Sequence, residues 1–244
     1  LEGLNSVNGV LRVKSELIKN IKKDGIAIVP DGKYLNYWKS MRKDIAFYSF
    51  GEKSSASYFP SQIKMTKHGL SFFIESNYLK KRVRIKTKLI GVHNVLNILA
   101  SFAAIHSANL NVERFSDNLK DLQNHSQRLG LKKWVKQSNV IDDTYNANPD
   151  SMKAAINVLC QFQGRKIAIL GDMAELGRYR KKLHLELGDY AKIHGVDFLL
   201  GYGDLIRHTS SAFGNRGFFF TNKIELVDFL RKILKTRDNI LLKG

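Results

Sequence analysis

The sequence predicts an α/β fold with a mainly parallel sheet, and three observations lead to this prediction. From about residue 126 to the end, short apolar runs alternate with runs of helical apolar spacing, the order expected for a parallel sheet flanked by helices. Before residue 126, several strand-like runs follow one another instead. The 244 residues, 43% of them hydrophobic, suffice for two domains with buried cores. We therefore predict two domains, residues 1–125 and 126–244.

The first domain is predicted to begin with an amphipathic helix that is capped by Ser6. Its apolar stripe consists of Val7, Val10, Leu11, Ile18 and Ile21. The other predicted elements are strands over residues 26–29, 45–50, 70–75 and 83–89, and helices over residues 94–107 and 112–122. Charged residues alternate with apolar or smaller ones over residues 80–88, which indicates a strand with one wet face.

The second domain has a more regular alternation. Its predicted strands cover residues 140–141, 166–170, 198–201, 218–220 and 240–242. Its predicted helices are one capped by Asp150 or Ser151, one near residues 181–194 and one near residues 224–234. Cys160 shares the helical spacing of Met152, Ala155 and Ile156, so we interpret it as a core residue and not as a nucleophile.

The composition predicts a soluble cytoplasmic protein without membrane insertion. A single cysteine excludes an internal disulfide, and the sequence shows neither a leader nor an apolar run of roughly 20 residues. The 40 Lys and Arg against 22 Asp and Glu give a net charge of +18. Such a charge can serve nucleic acid, an anionic membrane surface or a small polyanion. Because no basic run is dense or interleaved with aromatic residues, we favour solvated surface charge.

Lys14 is the first candidate for a chemical role. It lies seven residues after Val7 and four before Ile18, on the apolar stripe of the first helix. A lysine there costs free energy unless its stem snorkels or its charge has a partner. Two interpretations follow: a snorkelling side chain at the helix edge, or a lysine that is held near a site and chemically altered.

The second candidate is the helix start Gly91-Val92-His93-Asn94-Val95-Leu96-Asn97. Asn94 and Asn97 are three residues apart and share a face, while His93 and Asn97 are four apart. Asparagine disfavours helix interiors, so capping or ligand contact is expected. Capping explains Asn94 but does not explain Asn97.

The third candidate is the loop Asp142-Asp143-Thr144-Tyr145-Asn146-Ala147-Asn148-Pro149. It follows a predicted strand, where ligands bind in open α/β sheets, and it precedes a helix N-terminus that attracts anions. An Asx-rich turn without a ligand is the alternative. Gly171-Asp172-Met173-Ala174-Glu175-Leu176-Gly177 is a second loop of this kind. The sequence contains no phosphate-loop motif G-x-x-x-x-G-K-S/T, no G-x-G-x-x-G and no paired-cysteine metal motif.

Taken in order, these clusters resemble the Mur ligase family and, within it, the branch that adds D-alanyl-D-alanine. The resemblance covers nearly the whole chain and also includes residues 1–3, 13–16 and 242–244, with His184 after the second loop. It implies the remainder of a central ATPase domain without its phosphate loop, joined near residues 125–128 to a Rossmann-like C-terminal domain. It further implies that the chain is a fragment, because the family's sequence extends beyond both ends.

The resemblance implies a reaction and its reactants. In the family, ATP phosphorylates the carboxylate of UDP-N-acetylmuramoyl-tripeptide, and the amine of D-alanyl-D-alanine attacks the acyl phosphate. ATP and Mg²⁺ are thus the expected cofactors, and a monomeric enzyme of peptidoglycan synthesis is expected. This chain alone is expected to be inactive, because the grip on the β- and γ-phosphates is absent.

The resemblance also assigns site residues. Lys14 corresponds to the lysine that is carbamylated and helps to hold magnesium, and His93, Asn94 and Asn97 correspond to residues near the adenine. Arg128 corresponds to the arginine that reaches the ATP phosphates. Asp143 corresponds to the carboxylate that holds the ribose hydroxyls, with Tyr145, Asn146 and Asn148 in the same loop. The dipeptide is expected near this loop and residues 172–177.

Two departures and two alternatives accompany this interpretation. Ser126-Gln127 stands where the family often has Pro-Gly, and Pro30-Asp31-Gly32 stands where it usually has Asn-Ala-Asp. The alternatives are a basic nucleic-acid-binding module on a degenerate ligase fold, or a related ligase such as folylpolyglutamate synthase.

Overall fold

The chain forms two compact units that meet in sequence at residues 123–124. A computed structural model describes residues 4, 6–66, 68–122, 124–125 and 127–244. Residues 1–3 and Ser126, to which the sequence analysis gave weight, lie outside the described residues. Among the described residues, no helix combines the length and the apolar character needed to cross a bilayer.

The first unit contains four helices and five strands among its described residues. They are α1 (Val7–Lys19), β1 (Ile26–Pro30), α2 (Leu35–Met41), β2 (Ala46–Phe50), β3 (Phe59–Thr66), β4 (Gly69–Glu75), β5 (Val83–Thr87), α3 (His93–Ser107) and α4 (Val112–Leu119). β1 and β2 pair in parallel, whereas β3, β4 and β5 form an antiparallel sheet. The larger core lies between this sheet and α3 and includes Tyr58, Phe72, Ile85 and Phe102.

Two sequence expectations for the first unit are confirmed by its local chemistry. The Ser6 hydroxyl accepts a hydrogen bond from the Gly9 N–H at 3.1 Å, which satisfies one of the unpaired donors at the start of α1. On β5, Ile85 is buried while Arg84 and Lys86 are exposed, so the basic run is a strand with one wet face.

The second unit is built on a six-stranded sheet. Its elements are β6 (Gly130–Lys133), β7 (Asn139–Asp142), α5 (Pro149–Cys160), β8 (Lys166–Gly171), α6 (Arg180–Ile193), β9 (Phe198–Tyr202), α7 (Ile206–Phe213), β10 (Gly217–Phe220), α8 (Lys223–Ile233) and β11 (Asn239–Lys243). The strand order is β10-β9-β8-β11-β7-β6, and all neighbours pair in parallel except β6 with β7. The predicted mainly parallel α/β fold is confirmed.

This strand order determines where a site can form. β11 lies between β7 and β8, so the carboxyl ends of these three strands are neighbours on one edge of the sheet. Loops that leave the carboxyl ends of parallel strands form the ligand crevice of open α/β sheets. The two loops that the sequence analysis selected both start at this edge.

Several elements differ from the sequence expectations. α2, β3, β6 and α7 were not predicted, and α4 ends at Leu119 and not at residue 122. β3 contains Pro60, a left-handed Gln62 (φ +53°) and an irregular register, so it lacks a clear two-residue period. α7 has the sequence Ile-Arg-His-Thr-Ser-Ser-Ala-Phe, and it buries Thr209 and Ser210, so apolar spacing does not reveal it.

Candidate functional site

A buried ion pair holds the loop that follows β7. Lys243 Nζ lies 2.6 Å from Asp143 Oδ2 and 2.8 Å from the carbonyl oxygen of Asn146, and the Lys243 side chain is 2% exposed. Asp143 Oδ1 accepts the Leu129 N–H at 3.2 Å. The Asp143 N–H donates to the Leu242 carbonyl at 2.9 Å. One carboxylate therefore joins the end of β11, the loop after β7 and the segment before β6.

The segment before β6 is fixed against this loop by two further contacts. The Tyr145 N–H donates to the Gln127 carbonyl at 3.1 Å, and the Arg128 guanidinium carbon lies 4.0 Å from the centroid of the Tyr145 ring. Gln127 and Leu129 have φ of +67° and +57°, a conformation that costs a non-glycine residue about 1 kcal/mol or more. The contacts to the loop offset this strain and place the exposed guanidinium of Arg128 over the Tyr145 ring, in the loop that contains Asp143.

Asn148 begins α5 and has a capping role. Its side-chain oxygen accepts the Ser151 N–H at 2.9 Å, and the Ser151 hydroxyl accepts the Asn148 N–H at 3.1 Å. Pro149 occupies the first helical turn, where a missing N–H is tolerated. The expectation that Asp150 or Ser151 caps this helix is wrong, because both residues lie inside its first turn. The side-chain oxygen of Asn148 is therefore used to cap α5.

Asp142, the neighbour of Asp143, is in a different environment. Its two carboxylate oxygens accept hydrogen bonds from Lys132 Nζ at 3.2 Å and from the Thr144 hydroxyl at 2.8 Å. Burial acts to raise the pKa of Asp142, but the hydrogen bonds from Thr144 and Lys132 outweigh it, and the pKa lies below its ordinary value. Asp142 is therefore a structural carboxylate that orients the loop.

The loop after β8 uses its carboxylate within the fold. Asp172 accepts backbone N–H groups from Asp204 at 3.0 Å, Leu205 at 3.2 Å and Ile206 at 2.7 Å. Leu205 is the cap position and Ile206 the first residue of α7, and their N–H groups are among those that the helix itself leaves unpaired. Gly203 (φ +124°) is required here, because a Cβ would lie 2.6 Å from the Asp172 carboxyl carbon. Asp172 thus ties two loops together at the sheet edge.

His184 also fixes the loop after β8. It is fully buried, and its Nε2 accepts the Met173 N–H at 3.2 Å, so its Nδ1 carries the hydrogen and donates to the Arg180 carbonyl at 2.7 Å. An open cavity of about 490 Å³ lies against this loop. It is lined by residues 173–177 together with Arg178, Arg180 and Leu205.

The helix start at α3 shows a different use of its amides from the one expected. The cap position is Val92, so Asn94 is not the capping residue. Asn94 is buried, and its Nδ2 donates to the Ile90 carbonyl at 2.7 Å while its Oδ1 accepts from Asn97 Nδ2 at 3.2 Å. His93 and Asn97 are exposed. The buried amide holds Asn97 at the surface of the helix start.

Lys14 does not occupy the buried position that its spacing indicated. It is exposed, whereas the next residue, Ser15, is buried and accepts the Trp38 indole N–H at 2.9 Å. The face of α1 that packs against α2 includes Ser15 and not Lys14. The ammonium group of Lys14 is therefore not a buried charge that needs a partner. Lys14 instead lines an open cavity of about 290 Å³. That cavity also contains Val7, Val10, Leu11, residues 30–34 and Trp38.

The cavity beside Lys14 does not by itself fit a magnesium ion. Magnesium prefers oxygen ligands, and Asp31 is the one carboxylate among the residues that line the cavity. The Asp31 carboxylate also accepts the Ser55 hydroxyl at 2.7 Å. Among the described residues, no cluster of three His, Cys, Asp or Glu side chains could hold a metal.

The second unit thus brings Arg128, Asp143, Tyr145 and Asn146 together around one loop. Sequence reasoning missed the residue that organises them, Lys243. Residues 242–244 are part of the family resemblance, but the resemblance assigns the lysine no role. The available signal was a lysine directly after the apolar run Ile240-Leu241-Leu242, at the point where a buried strand reaches the ligand edge.

Comparison with known proteins gives consistent matches for both units. Residues 1–105 match the family model for the Mur ligase middle domain, and residues 127–244 match the model for the Mur ligase glutamate ligase domain. The chain is 32% identical to the UDP-N-acetylmuramoyl-tripeptide--D-alanyl-D-alanine ligase of Buchnera aphidicola subsp. Acyrthosiphon pisum and 31% identical to that of Escherichia coli K12. Each alignment covers 100% of this chain and 54% of the relative.

Solved structures show the same relationship. A crystal structure of MurF from Acinetobacter baumannii matches with a TM-score of 0.88 at 26% identity, over 100% of this chain and 54% of that chain. MurF from Thermotoga maritima in complex with ADP matches with a TM-score of 0.82 at 20% identity, over 100% and 55%, and shares the fold. The chain spans about half the length of the curated relatives it matches.

Proposed function

Because this chain belongs to the Mur ligase family, we propose that it is part of an ATP-dependent ligase that adds D-alanyl-D-alanine to UDP-N-acetylmuramoyl-tripeptide. The proposal is supported by the names of the relatives that match the whole chain. Those relatives also favour this reaction over folylpolyglutamate synthesis. In the proposed reaction, ATP transfers its γ-phosphoryl group to the tripeptide carboxylate. The dipeptide amine then displaces phosphate from the acyl phosphate to form the amide.

The observation that carries the proposal is the fixed carboxylate of Asp143. Each carboxylate oxygen can accept two hydrogen bonds, and each Asp143 oxygen is given one, by Lys243 and by the Leu129 N–H. One acceptor position per oxygen therefore remains for a vicinal pair of hydroxyls. We assign this carboxylate to the ATP ribose. Asn146 and Tyr145 lie in the same loop and are proposed to line the nucleotide.

Arg128 is proposed to offset phosphate charge. Its guanidinium rests on the exposed face of Tyr145, next to the carboxylate loop. A planar cationic fork beside a ribose site can reach the phosphates of the same nucleotide and stabilise charge that shifts during transfer. Asn148, whose side-chain oxygen caps α5, is proposed to act through the conformation of the loop.

The start of α3 is proposed to contact the adenine. Asn97 and His93 are exposed there, and the buried Asn94 holds the Asn97 amide. Amide groups and an imidazole can pair with the ring nitrogens and amino group of a purine.

Lys14 is proposed as the lysine that becomes carbamylated. Intact mass measured in bicarbonate, with Lys14→Arg as control, tests it, and a gain of one CO₂ by the parent chain alone is expected.

By itself the chain is proposed not to turn over ATP. The 244 residues contain no G-x-x-x-x-G-K-S/T motif, which supplies the backbone N–H groups and the lysine that bind β- and γ-phosphates.

We further propose domains 1–125 and 126–244, a monomeric state and a cytoplasmic location. The nucleic-acid alternative depends on the +18 charge alone, and steeply salt-dependent DNA or RNA binding would support it.

Equilibrium titration with ADP tests the assignment of Asp143. Asp143→Ala is expected to weaken ADP binding by about tenfold or more, since it removes both acceptors of the ribose hydroxyls. Glu186→Ala, which removes an exposed carboxylate on α6, serves as the control and should leave ADP binding unchanged. Equal ADP affinity of the parent chain and Asp143→Ala would contradict the assignment.

A further inference from the structure

Lys243 is a buried lysine for which neither the sequence analysis nor the proposed reaction has a role. Its side chain is 2% exposed, and its ammonium group has three acceptors: Asp143 Oδ2 at 2.6 Å, the Asn146 carbonyl at 2.8 Å and the Asp143 carbonyl at 3.4 Å. An ammonium group has three hydrogens and no acceptor capacity. All three partners belong to the loop after β7, so the full bonding capacity of Lys243 is spent on that loop.

A second buried ion pair lies at the opposite end of β11 and provides a contrast. Asp238 is 2% exposed and pairs with Arg165, with a distance of 2.6 Å between carboxylate and guanidinium. It also accepts the Lys235 N–H at 2.7 Å. These contacts join turns at the amino ends of the strands, away from the ligand edge. Both pairs therefore stabilise the second unit, but only the Lys243 pair contacts residues with a proposed ligand role.

The Lys243 pair reaches Arg128 through backbone contacts. Asp143 Oδ1 accepts the Leu129 N–H, and the next turn of the loop donates the Tyr145 N–H to the Gln127 carbonyl. Residues on both sides of Arg128 are thus bonded to the loop that Lys243 holds. Without the ammonium group, Asp143 would be a largely buried carboxylate facing an apolar stem. It would turn toward water and release the Leu129 N–H.

We propose that Lys243 is a positioning residue that sets two nucleotide contacts at once, the Asp143 carboxylate directly and the Arg128 guanidinium through residues 127–129. Its role in nucleotide binding rests on the proposed function, whereas its hold on the loop does not. Lys243 does not contact the nucleotide. It fixes the orientation of the Asp143 carboxylate, and thereby the acceptor positions that are open to hydroxyls. It also fixes the backbone position from which the Arg128 side chain extends.

Amide hydrogen exchange followed by NMR tests the hold on the loop. The reporters are the Leu129 and Tyr145 N–H groups, because each is bonded across the contact in question. Lys243→Met should speed exchange at both by about tenfold or more relative to the parent chain, since a buried ion pair is broken. Lys243→Arg keeps the charge and should restore part of the protection. Asp238→Asn breaks the other buried pair and should leave the two reporters close to the parent chain.

ADP affinity, measured on the same four proteins, tests the functional half. Lys243→Met should weaken ADP binding by about tenfold, while Asp238→Asn should not, although both lower the stability of the unit. The proposal is overturned if Lys243→Met and Asp238→Asn have the same effect on the reporters and on affinity, because Lys243 is then only a stabilising residue. If the parent chain does not bind ADP, the proposed nucleotide site fails, and exchange at Leu129 and Tyr145 still decides whether Lys243 positions the loop.

Discussion

Adjacent carboxylates in one loop have separate tasks because their neighbours differ. Asp142 pairs with the exposed Lys132 and with Thr144, whereas Asp143 pairs with the buried Lys243 and a backbone N–H. The sequence identified this loop as a ligand loop from its position after a strand and its polar composition. It could not separate the two aspartates by physical reasoning, because Lys243 is 100 residues away in sequence and β11 brings it there only after folding.

The depressed pKa of Asp142 predicts a pH-dependent contribution to stability. A carboxylate whose folded pKa lies below its unfolded value stabilises the fold above the unfolded value, here 3.8, and loses that effect as pH falls through the folded value. The difference in unfolding free energy between the parent chain and Asp142→Asn should be about 0.5–1 kcal/mol at neutral pH. Urea unfolding between pH 7 and pH 2 should show the difference closing below the unfolded pKa.

Lys132→Met provides the control for this prediction. In its background the Asp142→Asn difference should shrink, because one of the two side-chain hydrogen bonds that lower the pKa of Asp142 is gone. A difference that stays constant down to the lowest pH would contradict the role assigned to Asp142.

Cys160 should react slowly with thiol reagents. It lies on α5 and is partly buried, and burial raises the pKa of its thiol despite the opposing effect of Lys166. The thiolate is the reactive form, so labelling by an aromatic disulfide at pH 8 should be about tenfold slower in the folded chain than in urea-unfolded chain. Equal rates in the two states would contradict the interpretation of Cys160 as a structural residue.

Helices and strands with a clear apolar period were predictable, and those stabilised by polar contacts were not. The spacing in α1, α3, α6 and α8 and the short apolar runs of β1, β8 and β9 each indicated an element near the observed one. α7 begins where Asp172, from another loop, accepts the N–H groups of Ile206, the first residue of the helix, and of the two residues before it. That cap comes from a residue more than 30 positions earlier, so local sequence does not contain it.

The start of α5 gives a prediction about a single helix. Asn148→Ala should lower the unfolding free energy by about 1 kcal/mol, since it removes the acceptor for the Ser151 N–H. Asn148→Asp keeps an acceptor next to the helix N-terminus and should retain most of the stability. Chemical denaturation of the three proteins measures the effect. A neutral Asn148→Ala change would contradict the observed cap.

For the molecule as a whole, physical pattern and family resemblance contributed different information. Alternating strands and helices were enough to predict a mainly parallel sheet and a ligand edge, because those follow from general packing rules. The roles expected for Arg128, Asn97 and Lys14 are implied only by the family resemblance. The structure places the Arg128 guanidinium over the Tyr145 ring, in the loop that contains Asp143. It also corrects the reason given for Lys14, which lines an open cavity instead of carrying a buried charge.

The central claim is that the second unit of this chain contributes nucleotide contacts from the loop after β7 and from the segment around Arg128. Its most direct test is an amide exchange map of the chain with and without saturating ADP. The account predicts slower exchange at residues 127–130 and 142–148, and unchanged exchange in β3 and β4. Protection confined to other regions, or none at saturating ADP, would contradict it.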